Sequence, residues 1–213
     1  MNVSQDKEHD ADDRPWRPAS SGASHLYVLP CQGEDILKLG ISRDPLNRLQ
    51  SLHQRYYEFF DLDRAFLIET DSVDEARKLE LELGRNLESH GAPAPLMVPV
   101  TAGGHTEWYR GALRRLMFEA DERERLGFVV HRSLRDWLRP RLTDRASLLF
   151  HWSSRMLESI ELAQALAASQ IESARLRRTL RNALDAYAAL GLDYSGYVPP
   201  EVERWHQAQP AHS

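Results

Sequence analysis

Four side chains of different chemistry fall in one short stretch of this 213-residue chain: the phenol of Tyr27, the ammonium of Lys38, the guanidinium of Arg48 and the carboxylate of Glu80. Together they offer a group that can carry a proton, two cations that can balance negative charge and one hard oxygen ligand. Tyr27 and Lys38 stand eleven residues apart across a turn, and Arg48 follows Lys38 by ten. The better-known catalytic signatures are missing: the chain has no glycine-rich phosphate loop, no His-Glu-x-x-His, no Gly-x-Ser-x-Gly and no dinucleotide fingerprint. The nine histidines show no ligand spacing, and His90, His105, His131, His151 and His206 are read as surface or core residues.

The elements that must position the four residues can be read from periodicity and turn chemistry. Leu26-Tyr27-Val28-Leu29 is an apolar run of strand formers stopped by Pro30, and Ile36 to Ser42 begins with apolar and polar residues in alternation. A turn at 32–35 joins them, so the two runs predict a β-hairpin. Asp44-Pro45 is a helix start, with Asp44 as cap. The helix is expected to run to about Tyr57, with Leu46, Leu49, Leu52 and Tyr56 on its apolar face and Arg48 off it. A third strand is expected at 64–69 and a second helix from about 73 to 89, followed by a proline- and glycine-rich loop at 90–105. Thr106-Glu107-Trp108-Tyr109 then leads into a helix near 111–125. The fold class is α/β in the α+β sense, a small three-stranded antiparallel sheet flanked by helices, with a mostly helical region after it.

These residues resemble the GIY-YIG nuclease superfamily. Leu26-Tyr27-Val28 is similar to the first signature, and Lys38-Leu39-Gly40 stands where the founding pattern has Tyr-Ile-Gly, as in the phage and fungal branch with Lys-Ile-Gly. The run from Ile41 to Leu49 with Arg48, the segment Glu75-Ala76-x-x-Leu79-Glu80, and Glu107-Trp108-Tyr109 resemble the branch's remaining elements in order. Leu52 occupies the place where some homing-type members carry a histidine, and His53 follows it. The resemblance covers about residues 25–110.

It implies a metal-dependent DNA endonuclease. Hydrolysis of a phosphodiester needs an activated water, a counter-charge for the transition state and a stabiliser for the leaving oxygen. By the resemblance, Tyr27, Lys38, Arg48 and Glu80 are catalytic. Glu80 holds one Mg²⁺ or Mn²⁺, Arg48 pairs with the phosphate, and Tyr27 accepts or relays the proton of the attacking water with help from nearby cations. Ser42, Asn47, His53, Tyr56 and Glu107 are candidate groove-lining residues. Two rival expectations stand beside this one: a catalytically silent DNA-binding module of a phage or mobile-element protein, with Lys38 marking the loss of chemistry, and a helical oligomerisation protein.

Net charge is −5, yet residues 132–181 hold ten arginines against five acids. Arg175, Arg177, Arg178 and Arg181 form a candidate DNA-contacting stripe. The helical region is expected to run from a short helix at 132–138, broken by Pro140, into a long segment at 143–190 that serves DNA contact or homo-oligomerisation. Trp137 and Trp152 on its faces are read as core. The expected division is a disordered leader at 1–24, the α/β domain at 25–126, the helical domain at 127–192 and a tail at 193–213. A single cysteine, Cys31, excludes an intramolecular disulfide and a cysteine-based zinc site. The sequence has no apolar run long enough to span a bilayer and no signal-peptide core, so a cytoplasmic protein without membrane contact is expected.

Overall fold

In a computed structural model of the chain, residues 23–103, 105–166 and 170–209 are described. Nearly all of the expected leader lies outside them. The order of elements is β1 (Ser24–Pro30), β2 (Ile36–Ser42), α1 (Pro45–Leu52), α2 (Tyr56–Phe59), β3 (Phe66–Thr70), α3 (Val73–Arg85), β4 (Trp108–Arg110), α4 (Leu113–Arg125), β5 (Val130–His131), α5 (Leu134–Ala165), α6 (Gln170–Ala189) and α7 (Pro200–Gln207).

The sheet has five antiparallel strands in the order β4-β2-β1-β3-β5, which corrects the expected three. The two additional strands are three and two residues long, too short to carry an alternating pattern. They form because β2 and β3 would otherwise be open edges, whose free N–H and C=O groups β4 and β5 satisfy. Every residue of the central β1 is buried. That is why its sequence reads as a continuous apolar run, since helices cover both of its faces.

Alternation assigns each face to a separate core. Tyr27, Leu29, Leu67 and Trp108 point to the side covered by α1, α2, α5, α6 and α7. Leu26, Val28, Leu37, Leu39, Phe66 and Ile68 point to the side covered by α3 and α4. The first cluster continues without interruption from the sheet into the helical hairpin, through Leu134, Leu138, Leu142, Leu180, Leu184 and Val202.

Pro140 lies inside α5 rather than ending a helix, contrary to expectation. The buried side chains of Trp137, Leu138 and Leu142 hold the chain on both sides of it. The Arg141 guanidinium donates to the Trp137 carbonyl at 2.8 Å, tying the turns on either side of the proline together. The long helical segment is a hairpin of α5 and α6. The expected first helix divides at His53 into α1 and α2.

Polar links fasten the hairpin and α7 to the α/β unit. Arg55 donates to Asn182 at 3.1 Å and to Asp185 at 2.8 Å. Asp185 also meets His206 Nε2 at 2.7 Å, and the other nitrogen of that ring lies 2.6 Å from the Tyr194 hydroxyl.

Candidate functional site

The site begins with the register of the hairpin. β1 and β2 place Tyr27 directly opposite Gly40, and the tyrosine ring lies across the glycine. A Cβ on residue 40 would stand 2.3 Å from the Tyr27 hydroxyl oxygen, a distance no side chain tolerates. Glycine at this position is therefore a steric requirement of the phenol's placement. Tyr27 is buried, and burial raises its pKa, while Arg48 opposes the rise by charge and by a hydrogen bond.

Arg48 reaches that phenol from the first turn of α1. The turn is fixed by Asp44, whose carboxylate accepts from the backbone N–H of Asn47 at 3.0 Å, and by Ser42, whose hydroxyl oxygen accepts from the Asp44 N–H at 3.1 Å. Arg48 Nε then donates to Tyr27 Oη at 3.1 Å. Its two terminal nitrogens donate to carbonyls of the loop before β4, Nη1 to Ala102 and Nη2 to Gly103.

Lys38 is only 1% exposed, a buried ammonium at the centre of β2. The register places it between Leu29 and Trp108 on the sheet face that carries Tyr27. Nζ donates to the Leu39 carbonyl at 2.8 Å and to Glu107 Oε2 at 2.9 Å. Burial lowers the lysine pKa, and the bond and charge of Glu107 work against that. For Glu107, desolvation acts upward, but hydrogen bonds from Thr106 and Lys38 outweigh it and hold the carboxyl below its ordinary range.

Glu80 is half-buried on α3. Desolvation, then the charge of Glu107, raise its pKa, and Lys38, Arg77 and Arg48 pull it down. Its carboxylate thus shares one electrostatic field with Lys38, Arg48 and Glu107, and Tyr27 feels Glu80 and Glu107 in turn. The structure brings Tyr27, Lys38, Arg48, Glu80 and Glu107 together where β2 runs past the short β4.

Ser42 and Asn47 take part in the α1 cap one turn from Arg48. His53 and Tyr56 lie elsewhere. His53 stacks on Phe59 with ring centroids 4.4 Å apart, and its Nδ1 accepts from the Arg55 N–H at 3.2 Å. Tyr56 is 1% exposed, its hydroxyl among the buried atoms without a hydrogen-bond partner, and burial raises its pKa. Of the arginine stripe, Arg175 and Arg178 are exposed and Arg177 is half-buried. Arg181 is largely covered, with Nε 3.6 Å from Asp185.

Two features of the site escaped sequence reading. The Ala102 and Gly103 carbonyls that hold Arg48 are backbone groups without a residue-type signature. Glu107, read only as groove-lining, is the direct partner of Lys38, and the signal available for it was a lone buried lysine that needs a carboxylate.

Among the described residues no three His, Cys, Asp or Glu side chains form a cluster able to hold a metal. A hard cation with several retained waters needs only one or two protein carboxylates. Glu80, a half-buried carboxylate beside that of Glu107, fits that requirement in number and type of ligand. Among the described residues no helix is long and apolar enough to cross a membrane.

Residues 24–124, a little under half of the chain, match the family model described as the T5orf172 domain. The match contains every residue of the clustered site. No curated protein and no solved structure matches the chain.

Proposed function

We propose that the clustered site hydrolyses DNA phosphodiesters, and that the chain is a GIY-YIG-type endonuclease working in the cytoplasm. The observation that carries this is the Tyr27–Arg48 contact above Gly40, with Glu80 in the same field. The T5orf172 match over the same residues is compatible with a DNA-binding, nuclease-associated module.

Arg48 supplies two terminal nitrogens aimed at the loop carbonyls of Ala102 and Gly103. A phosphate entering the site exchanges its non-bridging oxygens for those carbonyls, and the planar fork suits such a pair. Tyr27 Oη then takes the proton of the attacking water as the new O–P bond forms and the bond to the leaving oxygen breaks. Burial makes the phenolate scarce, and the charge and hydrogen bond of Arg48 act against that and favour the base form. Lys38 acts at one remove: it holds Glu107 in place and its charge favours ionised Glu80. Mg²⁺ or Mn²⁺ held by Glu80 would supply positive charge at the leaving oxygen.

One observation favours a second reading, a catalytically silent DNA-binding module. Lys38 is closed on Glu107 and Arg48 is already engaged by loop carbonyls, so both cations have partners without substrate. Supercoiled plasmid incubated with the protein and Mg²⁺ or Mn²⁺ separates the two. Conversion to nicked or linear DNA that stops with chelator supports the endonuclease, whereas binding without conversion under any of these conditions supports the silent module.

A further inference from the structure

A cavity of about 570 Å³ lies between α1, α5 and α6, away from the clustered site. Its floor is apolar, from Leu142, Leu149, Ala183 and Ala186, and the aromatic side chains Tyr56, Tyr187 and Trp152 stand around it. Side-chain amides from Gln50, Gln54 and Asn182 surround this apolar floor. The only charged residue in the lining is Arg145, which is paired with Asp44 at 3.1 Å and would exchange that carboxylate for a phosphate, and no carboxylate is among the lining residues. The buried Tyr56 hydroxyl has no partner. Trp152 is 37% exposed, which leaves part of its indole uncovered although helical spacing had suggested core.

Flat aromatic walls, amides that can both donate and accept, and a single cation match the chemistry of a nucleobase with its phosphate. The surroundings extend that match. One helical turn towards the hairpin tip from Trp152, Thr179 and Asn182 stand Arg155 on α5 and Arg175 and Arg178 on α6, all three arginines exposed. None of the three is ion-paired among the described residues. One turn further come Glu158 and Glu172, which end the positive track.

We infer that this cavity receives one unpaired base of a DNA strand, stacked on Trp152, with Arg145, Arg155, Arg175 and Arg178 holding the phosphates around it. The inference rests on the DNA-cleavage assignment and adds a substrate class to it: DNA with an unstacked or extrahelical base. Arg48 and Gln50 leave α1 on opposite flanks, so the cavity and the clustered site are separated by about a helix diameter, roughly 10 Å. At 3.4 Å per nucleotide along a strand, the accommodated base lies at least about three steps from the phosphate at Arg48.

The experiment measures affinity of the full chain, without divalent metal, for three fluorescent DNAs: a paired duplex, the same duplex with one bulged adenine, and the bulge with the base replaced by an abasic spacer. Free dAMP serves as competitor. The bulged adenine should bind at least about fivefold tighter than the paired and abasic forms, the value of one stacked base. Trp152→Ala should remove that preference, and Trp152→Phe should keep much of it. Free dAMP should compete weakly, because it lacks the flanking phosphates. Equal affinity for all three DNAs, or a preference that survives Trp152→Ala, overturns the inference and leaves the cleavage site intact. Strong competition by dAMP with no DNA preference would make the cavity a free-nucleotide site and also overturn it. Failure to bind any of the DNAs removes both assignments together. Trp152 is partly exposed, so a folded Trp152→Ala protein is expected, and its circular dichroism should match the parent.

Discussion

The clustered site and the outer face of the α5–α6 hairpin both gather cations, but they hold them differently. At the site, Lys38 and Arg48 are buried or half-buried and each is bonded to named partners, Glu107 and Leu39 for one, Tyr27 and two loop carbonyls for the other. On the hairpin, Arg155, Arg175 and Arg178 stand in solvent. Buried, partnered charge is oriented before substrate arrives and costs no reorganisation, which is what chemistry needs. Exposed charge is screened by salt and tolerant of position, which suits grip on a polyanion. Substitutions should therefore change rate in the first region and affinity in the second.

The largest effects are expected where a group meets the reacting atoms. Tyr27→Phe and Arg48→Ala should each reduce plasmid cleavage by roughly 10²-fold or more while changing duplex affinity little. A parental cleavage rate from either variant would remove that residue from the chemistry. Cleavage by the parent protein should climb with pH, because burial places the Tyr27 pKa above its ordinary value and each unit below it reduces the phenolate about tenfold. A rate that falls through the alkaline range would assign the proton to another group.

Gly40→Ala probes the same region through packing. The methyl group collides with Tyr27 on a central strand, so unfolding should become easier by about 1–3 kcal/mol, and the displaced phenol should slow cleavage as well. A chemical-denaturation midpoint equal to the parent would show that Tyr27 does not lie across the glycine.

The Lys38–Glu107 pair separates stability from chemistry. Lys38→Met replaces a buried ammonium with an apolar chain of similar length, and stability should stay within about 1 kcal/mol of the parent or rise. Glu107→Ala strands the ammonium with one carbonyl. It should cost about 1–3 kcal/mol, moderated because the Glu107 side chain is about one-third exposed to water. Thermal melts of the two variants check the order, and a reversed order would mean that Lys38 is not stabilised by Glu107.

The smallest effects belong to the hairpin. Arg175→Gln with Arg178→Gln should leave the cleavage rate at saturating DNA unchanged. The salt dependence of duplex affinity should flatten by about 0.9 in log-log slope for each phosphate that the protein no longer neutralises. An unchanged slope with an altered oligomeric state would assign this face to assembly.

How much of this could be read from sequence follows the same division. Turn, cap and helical-stripe signals placed Tyr27, Lys38, Arg48 and Glu80 on their elements, whereas their roles came from the ordered resemblance to the GIY-YIG pattern and not from local spacing. Asp44-Pro45 starts α1 as expected. The strands β4 and β5 were not counted because their pairing is decided by the open edges of β2 and β3, a tertiary fact. Pro140 misled because a local helix breaker was overridden by the burial of Trp137, Leu138 and Leu142. Tyr56 and Trp152 share the correct helical periodicity, yet periodicity gives a face and not what covers it. The hairpin leaves the tryptophan partly open beside a cavity, and only the packed arrangement shows that.

The central claim, that Glu80 serves the cleavage chemistry, is tested most directly by single-turnover cleavage of a duplex across a Mn²⁺ titration, parent against Glu80→Gln. The expected result is saturable metal activation in the parent and, in the variant, loss of about 10²-fold or more in rate with an unchanged melting profile and unchanged DNA affinity. Equal rates and equal metal dependence in the two proteins would contradict the assignment of Glu80 and, with it, the endonuclease mechanism.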